Sequence, residues 1–502
     1  VNSPAYLALL ERVHQTHDLG KASAILSWDR EVNMPPAGDP ARVQQMTTLR
    51  KLIHQRSTSA EMGEAIEAAA TDLAGADPAS DEACLIRVLR RDFEKSSKMP
   101  EAFVVEMSQV GAKAWSVWKE ARAEDDFARF LPHLERLIEL QRERAALLGH
   151  QGEAYDALLD LYEEGSTTAE VRGLFDEVKA VSVPLVAEIR ERGRPVDDRI
   201  LHQPYPLDGQ EAFARYIAQA VGYDFGRGHL ATATHPFATS FSRDDARITT
   251  RWYPDFINPS LFGTLHECGH AIYEQGTAAG LARTPLARGT SSGIHESQSR
   301  MIENVVGRSL GFWRAHFVAL QAQFPSQLGD ASVEDFYAAI NKVQPSLIRV
   351  EADELTYNLH IILRFELEQA MLSGELAAAD LPAAWNDKLE SLLGIRPPND
   401  REGVLQDVHW SGPSFGYFPT YALGNLYAAQ FFATARKADA AVERGLASGD
   451  TTALRAWLGE NIHRHGRKFA PRELVQRATG RALESADFAA YVTEKFGALY
   501  EL

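Results

Sequence analysis

Apolar positions recur at helical spacing along most of the chain. In "PHLERLIELQRERAALLG" (132–149), Leu134, Leu137, Ile138, Ala145 and Leu148 fall on one stripe, with Pro132 placed to open a helix and Gly149 to close it. Between Phe256 and Tyr273 the same spacing returns in Leu261, Phe262, Leu265, Cys268, Ala271 and Ile272, and Gly276 supplies a stop. A further helix is predicted over "SSGIHESQSRMIENVVGRS" (291–309), capped by Ser291 or Ser292, with Ile294, Met301, Ile302, Val305 and Val306 as its buried stripe. Convincing strand character is confined to "ATSFSRDDARITTRW" (238–252), where Ser, Thr and aromatic residues flank the turn-like "SRDDA". A short hairpin is expected there, beside the 256–276 helix.

The fold class is therefore mostly α. At 502 residues the chain exceeds the length that one hydrophobic core serves, so several domains or one large multilobed body are expected. Turn-forming residues cluster at 70–83, 194–209 and 396–403. The middle cluster separates an N-terminal helical half, 1–200, from a half, 201–502, that holds the histidine-rich helix; the two are expected to form one continuous body. There is no internal repeat or low-complexity tract.

Composition narrows the function classes. Apolar residues at 45% and charged residues at 24% are ordinary globular values with ample material for a core. A net charge of −17 argues against nucleic acid or an anionic membrane as partner, since both require clustered Lys and Arg. Two cysteines, Cys84 and Cys268, exclude a disulfide scaffold. The N-terminal segment is charged and helix-like rather than a secretion signal, and without an initiator Met its start is expected to have been trimmed. No apolar run reaches the roughly 18 residues of a membrane helix; the longest weakly polar stretch, 421–435, carries Asn425 and Gln430. A soluble, cytoplasmic protein is expected.

The helix over 256–276 contains His266-Glu267-Cys268-Gly269-His270. Residues four apart lie one above the other, so both imidazoles point toward one cation, while Glu267, rotated by about 100°, can hold a water bound to it. Chance alone produces this pattern in roughly one chain in twenty of this histidine content, so a third ligand is the test. The metzincin solution is absent, because Tyr273 and Gly276 stand where that class has Gly and His. A glutamate from the 291–309 helix is the other solution. Glu296 and Glu303 compete for it, together with Glu274 one turn past His270. Glu296 is favoured because the 25 residues after His270 let the first helix finish and the chain return. Glu303 can instead pair with Arg300 or Arg308, and Glu274 can be solvated.

With "HECGH" followed by "HESQ", the chain resembles the carboxypeptidase Taq family of metallocarboxypeptidases. Asp245-x-Arg247-x-Thr249, "IRVEAD" (348–353) and "GVLQDVHW" (403–410) agree with that family's pattern, and "SWDREVNMPPAG" (27–38) and 460–480 are similar to family segments, so the resemblance spans nearly the whole chain. It implies a neurolysin-like helical body with a long substrate groove and a homodimer. It also implies one Zn²⁺ or Co²⁺ per subunit at His266, His270 and Glu296. The implied activity is removal of single residues from peptide C-termini with broad specificity, poorly at proline.

The residues suggest roles. Glu267 takes the proton of the attacking water and delivers it to the leaving amine. The developing oxyanion needs a second donor, for which His409 and either Tyr421, the first choice, or Tyr417 are candidates; core aromatics are the alternative. A terminal carboxylate calls for an arginine fork: Arg349 first, Arg247 second. Each has acidic neighbours, Glu351 and Asp353 or Asp244 and Asp245, able to hold it in a structural ion pair. The hairpin carrying Arg247 could offer an edge strand to an extended peptide, and His235 in "HPF" could belong to the same wall, although lone histidines are more often structural. Rival readings are an endopeptidase or dipeptidyl carboxypeptidase on the same scaffold, and a non-catalytic, metal-stabilised helical binding protein. Glu267 weighs against the last, since a structural metal needs no base beside it.

Overall fold

Capping chemistry sets the helix ends in the computed structural model, which describes residues 3–502. The Ser3 hydroxyl accepts from the Tyr6 amide to start Pro4–Val32, and Thr167 with Glu170 forms a reciprocal capping box for Thr168–Arg192. The helix expected over 132–149 runs from Phe127 to Leu148, so Pro132 lies inside it rather than opening it. Asp126 is the reason: its side chain caps the Arg129 amide, and buried Phe127 and Phe130 extend the apolar stripe upstream. The predicted stripe is otherwise buried, and Gly149, at φ 80°, closes the helix.

The chain forms two compact units, each built from three segments. One comprises the residues up to Ser97, Asp197–Ile340 and Phe431–Ala482; the other comprises Lys98–Val196, Asn341–Gln430 and Leu483–Leu502. The crossing after Val196 falls in the 194–209 loop. The remaining crossings arise because segments distant in sequence pack together.

In the first unit a three-stranded sheet lies against the helix Ile257–Gly276, here the histidine helix. Its order is β1 (Leu230–Thr232), β3 (Asp245–Thr250), β2 (Ala238–Ser242). β2 and β3 form the expected antiparallel hairpin, with a bulge at Ser240/Ser242. β1 adds in parallel, pairing Leu230 with Ile248; three residues are too few for a periodic signal. Within the sheet β3, which carries Arg247, is paired on both sides, and its hairpin partner β2 lies at the edge. Alongside the histidine helix packs Ser292–Arg300, here the glutamate helix, which continues into a π-helical turn, Met301–Val306.

In the second unit the helix Tyr357–Ser373 is buried on nearly all sides. It packs against Phe127–Leu148, Ala154–Leu159, Thr168–Arg192 and Leu381–Leu393, and it buries Asn358, His360, Arg364 and Glu368 along with its apolar residues. No helix among the described residues is long and apolar enough to cross a membrane.

Candidate functional site

The histidine helix owes its depth to the predicted stripe: Leu261, Phe262, Leu265, Cys268, Ala271 and Ile272 are all buried. Gly269 is required for space. A Cβ there would lie 2.3 Å from the Gln298 carbonyl oxygen and 2.5 Å from the Ser299 Cα of the glutamate helix. Gly276 is the last helical residue, but its backbone is not left-handed; a Cβ there would lie 2.7 Å from that of His463. Cys268 packs as a buried thiol whose pKa burial raises well above its ordinary value.

This crossing brings three candidate ligands together. Glu296 Oε2 lies 3.7 Å from His266 Nε2 and 3.5 Å from His270 Nε2, and the donor atoms of these residues all fall within 4.8 Å of one another. Donors at about 2.1 Å from a tetrahedral centre are separated by about 3.4 Å, close to both distances from Glu296. The opposite ring atoms are occupied. His266 Nδ1 is 2.8 Å from Glu303 Oε2; His270 Nδ1 is 2.6 Å from His295 Nδ1; His295 Nε2 is 2.8 Å from Glu274 Oε1. One proton assignment satisfies all three contacts: His266 and His270 donate from Nδ1, and His295 accepts at Nδ1 and donates from Nε2, so that once His266 has shed its second proton both inward Nε2 atoms would be free to hold a cation.

The three competing glutamates thus divide the work. Glu296 faces both Nε2 atoms, and Arg300 Nε donates to its other oxygen at 2.7 Å. Glu303 holds His266 while also meeting Arg300 at 3.2 Å and Arg308 at 3.8 Å, and Glu274 holds His295 rather than facing solvent.

Electrostatics match this division. Burial would push Glu303 up, but Arg300 and the His266 bond lower it to about 2. Burial would push His266 down, yet Glu296 and Glu303 raise it to about 9 in the metal-free protein. Burial with His295 and His266 nearby sends His270 well below its usual range. Glu267, buried one position along the helix, is pushed up to about 7 by burial, partly opposed by His266. Of the remaining candidates in this unit, Arg247 pairs with both oxygens of Asp245 at 2.7 and 2.9 Å between the Trp28 and Phe241 rings, and His235 is exposed.

The second unit holds the other candidates. Arg349 is buried and directs Nε and Nη2 at Asp407, the latter at 2.7 Å, and Nη1 at the Tyr357 hydroxyl at 3.0 Å. Its acidic partner is Asp407, not Glu351 or Asp353. Arg364, fully buried, reaches the same carboxylate at 2.6 Å. Burial would raise Asp407, but the two guanidiniums hold it far below the carboxylate range. His409 Nε2 lies 3.3 Å from the Tyr421 hydroxyl, and its ring stacks on Tyr417 at 5.9 Å between centroids. All three rings are half-buried. Burial lowers His409 to about 4, with Asp407 opposing and Arg349 assisting, so it is neutral at pH 7.

Sequence reasoning missed His295, although it stands directly before Glu296 in "HESQ", and missed Asp407 and Arg364. No local pattern marks any of them as a partner; each is identified by a contact across 25 to 58 positions.

Over residues 8–496 the chain matches the family model described as carboxypeptidase Taq (M32) metallopeptidase. It is 46% identical to thermostable carboxypeptidase 1 of Thermus thermophilus over 99% of both chains, and 40% identical to carboxypeptidase 1 of Bacillus subtilis over 99% of this chain and 98% of that one. Among solved structures, an M32 carboxypeptidase from Deinococcus radiodurans matches with a TM-score of 0.96 at 41% identity, covering 100% of each chain. A Pyrococcus furiosus carboxypeptidase matches with a TM-score of 0.96 at 38% identity, covering 99% of each.

Proposed function

The chain belongs to the carboxypeptidase Taq (M32) family of metallopeptidases, and from that membership we propose that it releases single amino acids from peptide C-termini with broad specificity and slows at proline. The observation that carries the reading is the triangle of His266, His270 and Glu296 with Glu267 on the same helix. His266, His270 and Glu296 would hold one divalent cation per subunit, zinc or cobalt, which would supply Lewis acidity toward water and the scissile carbonyl. Two nitrogen donors and one oxygen donor suit either metal.

Glu267 accepts the water proton and passes it to the departing amine. Glu267 is buried beside His266 on the same helix, as a group that must both take and return a proton at the reacting centre has to be. His409, neutral at pH 7, and Tyr421 donate hydrogen bonds to the oxygen that gains charge, and Tyr417 contacts the substrate beside them. Arg349 anchors the terminal carboxylate. Its support is the charge balance of its cluster, in which two guanidiniums face the single carboxylate of Asp407 and a net positive charge is left for an anion. Arg247 is the second candidate. We also propose a homodimer, to be read from light scattering, and a cytoplasmic location, with which two buried free thiols are compatible.

The test is mass spectrometry of an N-terminally blocked peptide incubated with metal-loaded enzyme. A ladder of single-residue losses from the C-terminus that stalls at proline is expected. Internal cuts or release of dipeptides would favour an endopeptidase or dipeptidyl carboxypeptidase and overturn the proposal.

A further inference from the structure

We propose that Glu368 is a positioning residue that sets His409 and Tyr417 in their working orientation by fastening both ends of the loop between them. The inference rests on the proposed roles of His409 and Tyr417, and it adds a residue that neither periodicity nor any motif pointed to.

Glu368 is fully buried on the helix Tyr357–Ser373, and three donors converge on its carboxylate. Trp410 Nε1 donates to Oε1 at 2.8 Å. The Gly416 amide donates to Oε2 at 3.0 Å, and the Tyr155 hydroxyl donates to the same oxygen at 2.7 Å. Trp410 directly follows His409 and Gly416 directly precedes Tyr417, so a single side chain grips the loop one residue inside each functional ring. The two rings thereby stack at an interplanar angle of 21°.

Two further features limit where that loop can lie. Gly416 has φ +87°, and a Cβ there would lie 2.7 Å from the Leu158 carbonyl carbon and 2.8 Å from the Leu159 nitrogen, so the loop runs directly against the helix Ala154–Leu159. On the helix that carries Glu368, Tyr357, Arg364 and Glu368 lie on one face, within about 40° of each other at 100° per residue. Tyr357 meets Arg349, and Arg364 holds Gln406 at 2.8 Å and Asp407 at 2.6 Å. One helix face is thus a template for residues 406–417. A buried carboxylate is costly to desolvate, and satisfying it with three donors makes the loop position specific.

The experiment is a double-mutant cycle on a blocked peptide with the metal-loaded full chain, comparing Glu368→Gln, His409→Ala and the pair. Gln keeps the shape but presents an amide nitrogen to at least one of three donors. Glu368→Gln is expected to lower kcat about 10- to 100-fold with KM changed less than about threefold. Bound-metal stoichiometry is expected to stay unchanged. In the His409→Ala background the same substitution is expected to cost clearly less than it does alone, because the part of its effect that passes through His409 is already lost and only the part through Tyr417 remains. Full additivity, or an unchanged kcat in Glu368→Gln, overturns the inference while leaving the proposed function standing. Turnover unaffected by His409→Ala and Tyr417→Phe removes the proposed roles and this inference with them. Should Glu368→Gln not fold, Trp410→Phe takes its place in the cycle: it removes the donor beside His409 while keeping an aromatic ring, and the same outcomes decide.

Discussion

Gly269 lies against Gln298 so closely that a Cβ on the glycine would stand 2.3 Å from the Gln298 carbonyl oxygen. The histidine and glutamate helices therefore meet backbone to backbone beside His270, and the distance from Glu296 to both imidazoles depends on that contact. The neighbour is main chain, which cannot turn aside as a side chain would.

Gly269→Ala is accordingly expected to push the helices apart, at a cost of about 1–3 kcal/mol. Affinity for Zn²⁺ or Co²⁺ is expected to weaken at least about tenfold as the triangle opens. Competition against a chromogenic chelator and melting with and without metal read the two effects separately. A variant with a lower melting temperature but native metal affinity would mean that the crossing is not what sets the triangle.

The contacts to His266 and His270 predict a graded series. Glu303→Gln and His295→Leu each remove a partner that fixes an imidazole with Nε2 free, and each is expected to weaken metal binding about 10- to 100-fold. Glu274→Gln, one step farther from the metal, is expected to have a smaller effect. Isothermal titration of the metal-free protein gives the order, and an effect of Glu274→Gln larger than that of His295→Leu would contradict the relay.

Glu267→Gln keeps His266, His270 and Glu296 but removes the proposed base. It is expected to bind one metal per subunit and to lose about 10²-fold or more in kcat. Metal analysis alongside turnover checks this, and undiminished activity would remove Glu267 from its role.

Asp407 is enclosed by Arg349 and Arg364. Asp407→Ala leaves two buried guanidiniums without their counter-charge and is expected to destabilise the protein by about 3–5 kcal/mol. Urea denaturation monitored by circular dichroism measures it; a loss under about 1 kcal/mol would show that solvent compensates both charges.

Stability is expected to fall on acidification through His463, whose fully buried ring meets Gln298 Oε1 at 2.8 Å. Burial, with His295 nearby, lowers its pKa to about 3, whereas the unfolded chain titrates it near 6.5. Between those values the unfolded state carries a proton that the folded state lacks. The contribution is therefore complete above about pH 6.5 and declines toward pH 3 by up to about 1.4 kcal/mol per pH unit. His463→Gln is expected to flatten the dependence of melting temperature on pH between about 6.5 and 4. An unchanged slope would assign the acid sensitivity elsewhere.

The sequence alone determined that the chain is mostly helical and which face Ile257–Gly276 and most of Phe127–Leu148 bury, because a 3.6-residue period writes their core stripes directly into the chain. The spacing of His266, Glu267 and His270 is a property of a single helix and is legible for the same reason. Whatever depends on two elements meeting was decided by tertiary structure. Position in the chain favoured Glu296, but only the helix crossing at Gly269 turned Glu296 toward both Nε2 atoms, sent Glu303 and Glu274 to other partners, and brought His295 behind His270. Pro132 fell within a helix because an upstream cap and two phenylalanines outweighed one missing hydrogen bond. The hairpin was visible through the Ser, Thr and aromatic residues that flank a turn, while β1 became a strand only by pairing with β3. Arg349 was visible as a cation, but its partner Asp407 lies 58 positions away, and the fastening of His409 and Tyr417 by Glu368 joins parts of the chain more than forty residues apart. Periodicity encodes neighbours along an element; packing alone selects neighbours between elements, and the chemistry of this protein lies mostly in the second kind.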